Sequence, residues 1–243
     1  RVLVDVDLAH MDRPLDYLVP DALVDRAQVG SLVRVRVSGT RVDGWIIERT
    51  RREVSEGVGR LEAVVSETPV LTPPLYEAAR RVASRFLATT SQVLSLAVPP
   101  RHARAEKDVL ASAPGAWPLV DSPAAGEGWR AYSAGRALLS RLVAGESPRA
   151  IVTSLHPHLR SCLSEAVAAT VSSGRSVIVI TATGEQASRV ARDLEDDLGV
   201  PTALSGGEVG AEERYRVHVA ASLGRVPIVV GTRSAVWVPC ASL

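Results

Sequence analysis

Lysine occurs once in this chain, at Lys107, and that scarcity bears directly on phosphate chemistry. A nucleotide-binding P-loop needs Gly-x-x-x-x-Gly-Lys-Ser/Thr, whose backbone amides cradle phosphate while the lysine offsets the β and γ charges. Lys107 stands in Arg104-Ala-Glu-Lys-Asp108 with no glycine near and no strand-to-helix turn around it, so it cannot fill that role. His156 and His158 invite a metal reading, but no further ligand accompanies them at a suitable spacing, and they read as loop histidines. Cys162 and Cys240 form no Cys-x-x-Cys pair; both read as small core residues, and no metal site is expected. Arginine is the remaining cation. Arg34 and Arg36 share one face of a strand and Arg41 lies just past the following turn, so the three either track a phosphate backbone or form a solvated face. Arg49, Arg51 and Arg52 make a basic loop flanked by glutamates, which reads as simple solvation.

Basic and acidic residues nearly cancel, 28 against 27, so nucleic-acid contact has to be local and not a whole-surface field. The dominance of arginine over lysine fits a GC-rich genome, and it also suits planar, bidentate phosphate recognition. With 243 residues, 46% of them apolar and 23% charged, the chain is a soluble globular protein with room for two domains, not a disordered tail. No apolar run approaches the roughly 18 residues of a membrane helix and no signal peptide is visible, so a cytoplasmic location is expected. The ends at Arg1 and Leu243 look trimmed, as in a fragment of a longer protein.

The elements that must position these residues fall in two groups. Val2, Val4, Val6 and Leu8 alternate with Asp5 and Asp7, and further strands are expected over Leu15 to Val19, Leu32 to Val37, Val42 to Glu48 and Glu62 to Ser66. Thr72-Pro-Pro opens a helix whose Leu75, Ala79, Val82, Phe86 and Leu87 recur at helical spacing, and a small β-rich domain closes near Pro99-Pro100. Residues 101–128 carry Ala, Pro, Gly, Ser and charge without periodicity and read as a linker, along which Trp117 and Leu119 are candidates for docking. From 129 onward helices and strands alternate: helix Tyr132 to Val143, strand Ala150 to Thr153, helix Leu159 to Ser172 and strand Val177 to Ile180. Helix Glu185 to Leu198, strand Val200 to Ala203, helix Ala211 to Leu223 and strand Val226 to Val230 complete the series. Regular alternation with apolar strands predicts an α/β fold with a parallel sheet covered on both faces.

Leu204-Ser205-Gly206, Glu213-Arg214-Tyr215, Gly224 and Ile228-Val-Val-Gly-Thr-Arg-Ser-Ala235 together resemble the first-lobe signature of the PriA family of replication restart helicases. Taken alone, Gly231 would be a turn residue and Arg233 a solvated charge; with Glu213-Arg-Tyr upstream, the family resemblance is the stronger reading. Asp12-Arg-Pro-Leu-Asp-Tyr-Leu-Val-Pro20, Val33-Arg-Val-Arg-Val37 with Gly39, Leu71-Thr-Pro and Val93-Leu-Ser-Leu-Ala-Val-Pro-Pro100 resemble the same family's N-terminal domain. Together the two stretches cover nearly the whole chain outside the linker.

The resemblance implies a 3′-end DNA-binding domain over residues 1–100 and a truncated, degenerate RecA-like helicase lobe over residues 129–243, with the family's winged-helix insert missing from the linker. In the family, the first domain captures the 3′ end of the nascent leading strand at an arrested fork in a pocket of an apolar residue, an aspartate, a glycine and a lysine. These fall on Leu15, Asp16, Gly39 and Glu62. Asp16 would accept a hydrogen bond from a terminal 3′-hydroxyl, whereas Glu62 reverses the charge of the lysine, with Arg60 as a neighbour that could compensate. Leu15 replaces the aromatic residue often found there, and reads equally as a core leucine. Gly231, Thr232 and Arg233 would offer amides, a hydroxyl and a guanidinium to the DNA backbone.

At the P-loop position this chain reads Ser154-Leu-His-Pro-His-Leu-Arg160, without glycine or lysine and with Pro157 removing an amide donor. Thr181-Ala-Thr-Gly-Glu-Gln186 departs from the family's Pro-Glu motif. Such losses are those of the actinobacterial branch. They imply fork recognition and support of replicative helicase reloading with primosome or replisome proteins, in the cytoplasm at the nucleoid, without ATP, magnesium or unwinding. An active ATP-dependent 3′-to-5′ helicase and a scaffold that binds protein and not DNA are the alternatives. The family's zinc cysteines and magnesium-binding acidic motif would lie beyond Leu243.

Overall fold

The computed structural model describes residues 1–51, 57–112, 120, 127–153, 156–206 and 209–243, with the side chains of 156 and 157 outside that description. Contacts divide the chain into two units, Arg1–Ser112 with Ala211–Ser222, and Ala113–Gly210 with Leu223–Leu243. Trp117 and Leu119, singled out as docking residues, lie outside the described residues.

In the first unit, strands β1 (Val2–Val4), β4 (Thr40–Ile46), β3 (Leu32–Val37) and β6 (Ala63–Ser66) form an antiparallel sheet in the order β1-β4-β3-β6. Strands β2 (Tyr17–Leu18) and β5 (Gly59–Arg60) pair in parallel beside it. Period-two alternation sets the β3–β4 hairpin: Val33 and Val35 are fully buried, while Arg34 and Arg36 project outward. Its tip, Ser38-Gly39, has φ of 48° and 85°, the pair of positive values that matches a two-residue turn to the strand twist. Val2, Val4, Val33, Val35, Ile46, Leu61 and Val64 form the core, with Leu15 and Tyr17 packed against it. Each such aliphatic side chain contributes roughly 1.5–3 kcal/mol when fully buried.

The expected alternation through Leu8 ends at Val4, because Leu3 is as buried as its neighbours and Leu8 is half exposed. Asp5, Asp7 and Asp12 do not simply face water. They accept hydrogen bonds from Ser95, Gln92 and Thr90, tying the N-terminal segment to a helix. That helix, α2 (Thr90–Ala97), follows α1 (Pro73–Phe86) and begins with a capping box of Thr89 and Gln92. The chain does not become linker at Arg101: Ala103–Ala111 forms α3, burying Ala105, Glu106 and Val109 on one face. Composition hid this helix because only one of those residues is large and apolar.

The second unit contains α4 (Gly135–Val143), α5 (His156–Ser172), β7 (Val177–Ile180), α6 (Gly184–Leu198), β8 (Thr202–Ser205) and β9 (Ile228–Gly231). Its sheet is parallel in the order β7-β9-β8. Central β9 is buried along its length, whereas β7 is an edge strand that leaves Ile180 half exposed, so two-sided cover does not extend to every strand. Val167 and Val171 of α5 and Ala187, Ala191 and Leu194 of α6 pack against Ile228 and Val230. Both β8 and β9 start later than their apolar runs because Pro201 and Pro227 cannot donate to a ladder.

Ala150–Thr153 is not a strand. Ile151 is fully exposed, no strand pairs with the segment among the described residues, and the Thr153 carbonyl accepts from the Tyr132 hydroxyl at 2.9 Å. An apolar run becomes a strand only where a neighbour completes its hydrogen bonds.

The helix that joins β8 to β9 in sequence, α7 (Ala211–Ser222), belongs by its contacts to the first unit, where it packs on α3. Tyr215, Val217, His218, Val219 and Ala221 are buried there. The His218 ring faces the Val70 carbonyl with Nε2 at 2.7 Å, and a carbonyl can only accept, so Nε2 carries the proton and donates. Burial pushes this histidine down to about 4 and keeps it neutral.

Candidate nucleic-acid interface

A pocket of about 620 Å³ opens in the first unit, within the range of roughly 300–1,000 Å³ usual for small-ligand sites. Asp16, Tyr17, Leu18 and Val19 form one wall because β2 pairs with β5 and carries them across the margin of the core. Ile46 at the end of β4 and Leu61 floor it, and Arg49 and Arg51 enter its lining just beyond that strand. Tyr17 is held at its hydroxyl and along one side of its ring. Its hydroxyl donates to the Arg36 carbonyl at 3.0 Å, and a Cβ on Gly59 would come within 3.0 Å of the ring. Burial raises the tyrosine's pKa, so the phenol stays protonated as a donor. Arg1 also lines the pocket and pairs with Glu48 at 2.9 Å. The lining therefore sets three arginines against two carboxylates, Asp16 and Glu48, on an apolar base.

Of the residues assigned to the 3′-end pocket from sequence, Asp16 lines this cavity, while Leu15, Gly39, Arg60 and Glu62 do not. Leu15 packs on the core and bridges to Val2 through paired backbone hydrogen bonds of 2.8 Å. Gly39 sits at the hairpin tip, where a Cβ would meet nothing within 4 Å; its backbone φ requires glycine, and close approach does not. Arg60 is exposed on β5 opposite Leu18.

Glu62 is the centre of a separate charged cluster. Its two oxygens take Arg36 Nε at 2.5 Å and Arg41 Nε at 2.8 Å, and Arg36 also donates to the Gly39 carbonyl. Burial alone would favour the protonated acid, but hydrogen bonds and charge from Arg36 and Arg41 outweigh it and hold Glu62 below the usual carboxylate range. Arg34 makes a bidentate pair with Asp43, Nε at 2.7 Å and Nη2 at 3.1 Å, across the register of β3 and β4. The stripe of Arg34, Arg36 and Arg41 is thus not a row of uncommitted cations: each guanidinium already holds a carboxylate.

In the second unit, Gly231, Thr232 and Arg233 lie at the C-terminal end of β9, the end of a parallel sheet at which ligands bind. Gly231 has a packing reason of its own, since a Cβ there would overlap the Ser205 carbonyl oxygen of β8. Its carbonyl accepts from the Thr181 amide at 2.8 Å, which closes the top of β7 onto β9. Thr232 and Ser234 crowd Gly206, whose φ is 95°, and Arg233 is exposed beside them.

At the P-loop position, Ser154 and the His156 side chain lie outside the described residues, and His158 is exposed on the first turn of α5. Arg160 faces α6. It donates to Asp193 at 2.8 Å and to Asp197 at 2.6 and 3.1 Å, and Ser164 donates to the same Asp197 carboxylate. That bonding raises the arginine's pKa and lowers that of Asp197, so this cation is engaged in joining two helices. Lys107 is exposed on α3 in the first unit.

Tyr17, Arg49 and Arg51 line the pocket, although from sequence Tyr17 has no site role and the two arginines read as solvated. Tyr17 had a signal, being adjacent to Asp16 within Asp12–Pro20. The arginines had one as well, a basic loop, but the glutamates flanking it favoured solvation.

Residues 1–99 match the family described as the 3′ DNA-binding domain (3′BD) of PriA. Across 98% of its length the chain is 41% identical to a "Probable replication restart protein PriA" of Mycobacterium tuberculosis and to its counterpart in Mycobacterium bovis. It is 35% identical over 96% of its length to the protein of the same name in Mycobacterium leprae. The chain spans 36% of the length of these curated relatives.

Proposed function

Because the chain belongs to the PriA family of replication restart proteins, we propose that its first unit captures the 3′ end of a nascent DNA strand at a stalled or abandoned fork. The observation that carries this reading is Asp16 on the wall of a nucleotide-sized pocket, inside the part of the chain that matches a 3′ DNA-binding domain. A carboxylate accepts a hydrogen bond from a terminal hydroxyl and repels a terminal phosphate. Apolar Leu18, Val19 and Leu61, with Tyr17, suit a base and sugar.

The whole protein would then mark a fork for reassembly of the replicative helicase with primosome proteins, the second unit serving as a passive RecA-like platform that touches DNA through Thr232 and Arg233. Two features support passivity: Arg160 is held by Asp193 and Asp197, and the chain offers no P-loop lysine. No described helix is long and apolar enough to cross a membrane.

The test compares a primer–template duplex ending in a 3′-hydroxyl with the same duplex ending in a 3′-phosphate, by fluorescence anisotropy. The hydroxyl end should bind roughly tenfold tighter or better, and Asp16→Asn should erase the difference. Equal affinity for both ends in the unaltered chain would refute the assignment.

A further inference from the structure

We propose that Arg49 and Arg51 hold the phosphodiester adjoining the terminal nucleotide in the Asp16 pocket, an assignment that rests on the 3′-end reading above. A nucleotide that places its hydroxyl against a carboxylate needs cations on the other side of its sugar. The single lysine, Lys107, stands on α3 and does not line the pocket, so the cations there are arginines. Arg34 is committed to Asp43, Arg36 and Arg41 to Glu62, and Arg1 to Glu48. Arg49 and Arg51 alone among these arginines combine the two properties that matter: they line the pocket, and neither pairs with a carboxylate among the described residues.

Arg49 is also oriented. Its Nη1 donates to the Val24 carbonyl at 3.0 Å, and Val24 itself lines the pocket, so one tooth of the guanidinium fork is anchored and the rest is left for an oxygen pair. Phosphate recognition thereby moves from the position of Glu62, where the charge is reversed, to the segment just after β4. The ligand class is a DNA strand end with a free 3′-hydroxyl and an intact internal phosphodiester.

The experiment uses the full chain with Arg49→Gln and Arg51→Gln together, on hydroxyl-ended and phosphate-ended primer–templates over a range of salt concentrations. Loss of the contact to that one phosphodiester should flatten the slope of log affinity against log salt by about 0.7 to 0.9, the range for one phosphate on single- or double-stranded DNA. Affinity for both DNAs should fall roughly tenfold near physiological salt, while the preference for the hydroxyl end persists. Arg49→Lys with Arg51→Lys, which keeps the charge, should recover most of the slope, and each single Gln variant should show the change in the same direction if the double variant folds poorly. An unchanged slope in the Gln variants, with Asp16→Asn still erasing the hydroxyl preference, would overturn this assignment and leave the 3′-end reading standing. Absence of any hydroxyl preference in the unaltered chain would overturn both.

Discussion

His218 offers a test of how α7 is held. The ring is 2% exposed and fixed by the Val70 carbonyl, and its pKa is pushed from the ordinary 6.5 down to about 4. Between those values the unfolded chain binds a proton that the folded chain refuses. Stability from this group is therefore complete above about pH 6.5, declines as pH falls through that value, and levels off near 4. At about 1.4 kcal/mol per pH unit, the interval corresponds to roughly 3 kcal/mol, a large fraction of an ordinary domain's stability. Urea unfolding would be followed through Trp45, the tryptophan buried in the first unit, with the other three replaced by phenylalanine. His218→Gln keeps an amide donor for Val70 but does not titrate, so subtracting its stability from that of the parent isolates the histidine from carboxylates that titrate nearby. The difference should grow by roughly 3 kcal/mol from pH 4 to pH 7. A difference that stays flat with pH would mean that water reaches the ring, and that α7 is not packed in the first unit as described.

Other outcomes follow from the same geometry. Glu62→Gln should release Arg36 and Arg41, tightening DNA binding and steepening its salt slope by about 0.7 for each phosphate gained; no change would remove the hairpin from the DNA surface. Gly231→Ala should force β8 and β9 apart at Ser205 and destabilise the second unit by about 1–3 kcal/mol or more, and a melting temperature equal to the parent's would contradict the packing argument. Millimolar Mg-ATP should leave the melting curve unmoved, whereas a ligand at 100 times its dissociation constant adds about 2.7 kcal/mol; a clear upward shift lost on altering residues 154–160 would restore the helicase reading.

The sequence by itself determined the features that depend on local period and on residue identity. Val33 and Val35 alternating with Arg34 and Arg36, followed by Ser38-Gly39, specify a hairpin because both the pleat and the turn are encoded within a few residues. Thr72 before two prolines marks a helix start for the same reason. The missing P-loop lysine needed no structure to be seen. Tertiary structure decided everything that depends on which distant groups meet. Ala150–Thr153 has the apolar content of a strand but no strand to pair with among the described residues, and α7 reads as a lobe helix although it packs on α3. The arginines show the limit most clearly. Arg36 and Glu62 are 26 residues apart and meet because β3 pairs with β6, whereas Arg49 lies near glutamates in sequence and yet faces a pocket. A charge's role is set by the partners folding brings within about 4 Å of it, and sequence spacing constrains such partners only within a single helix or strand.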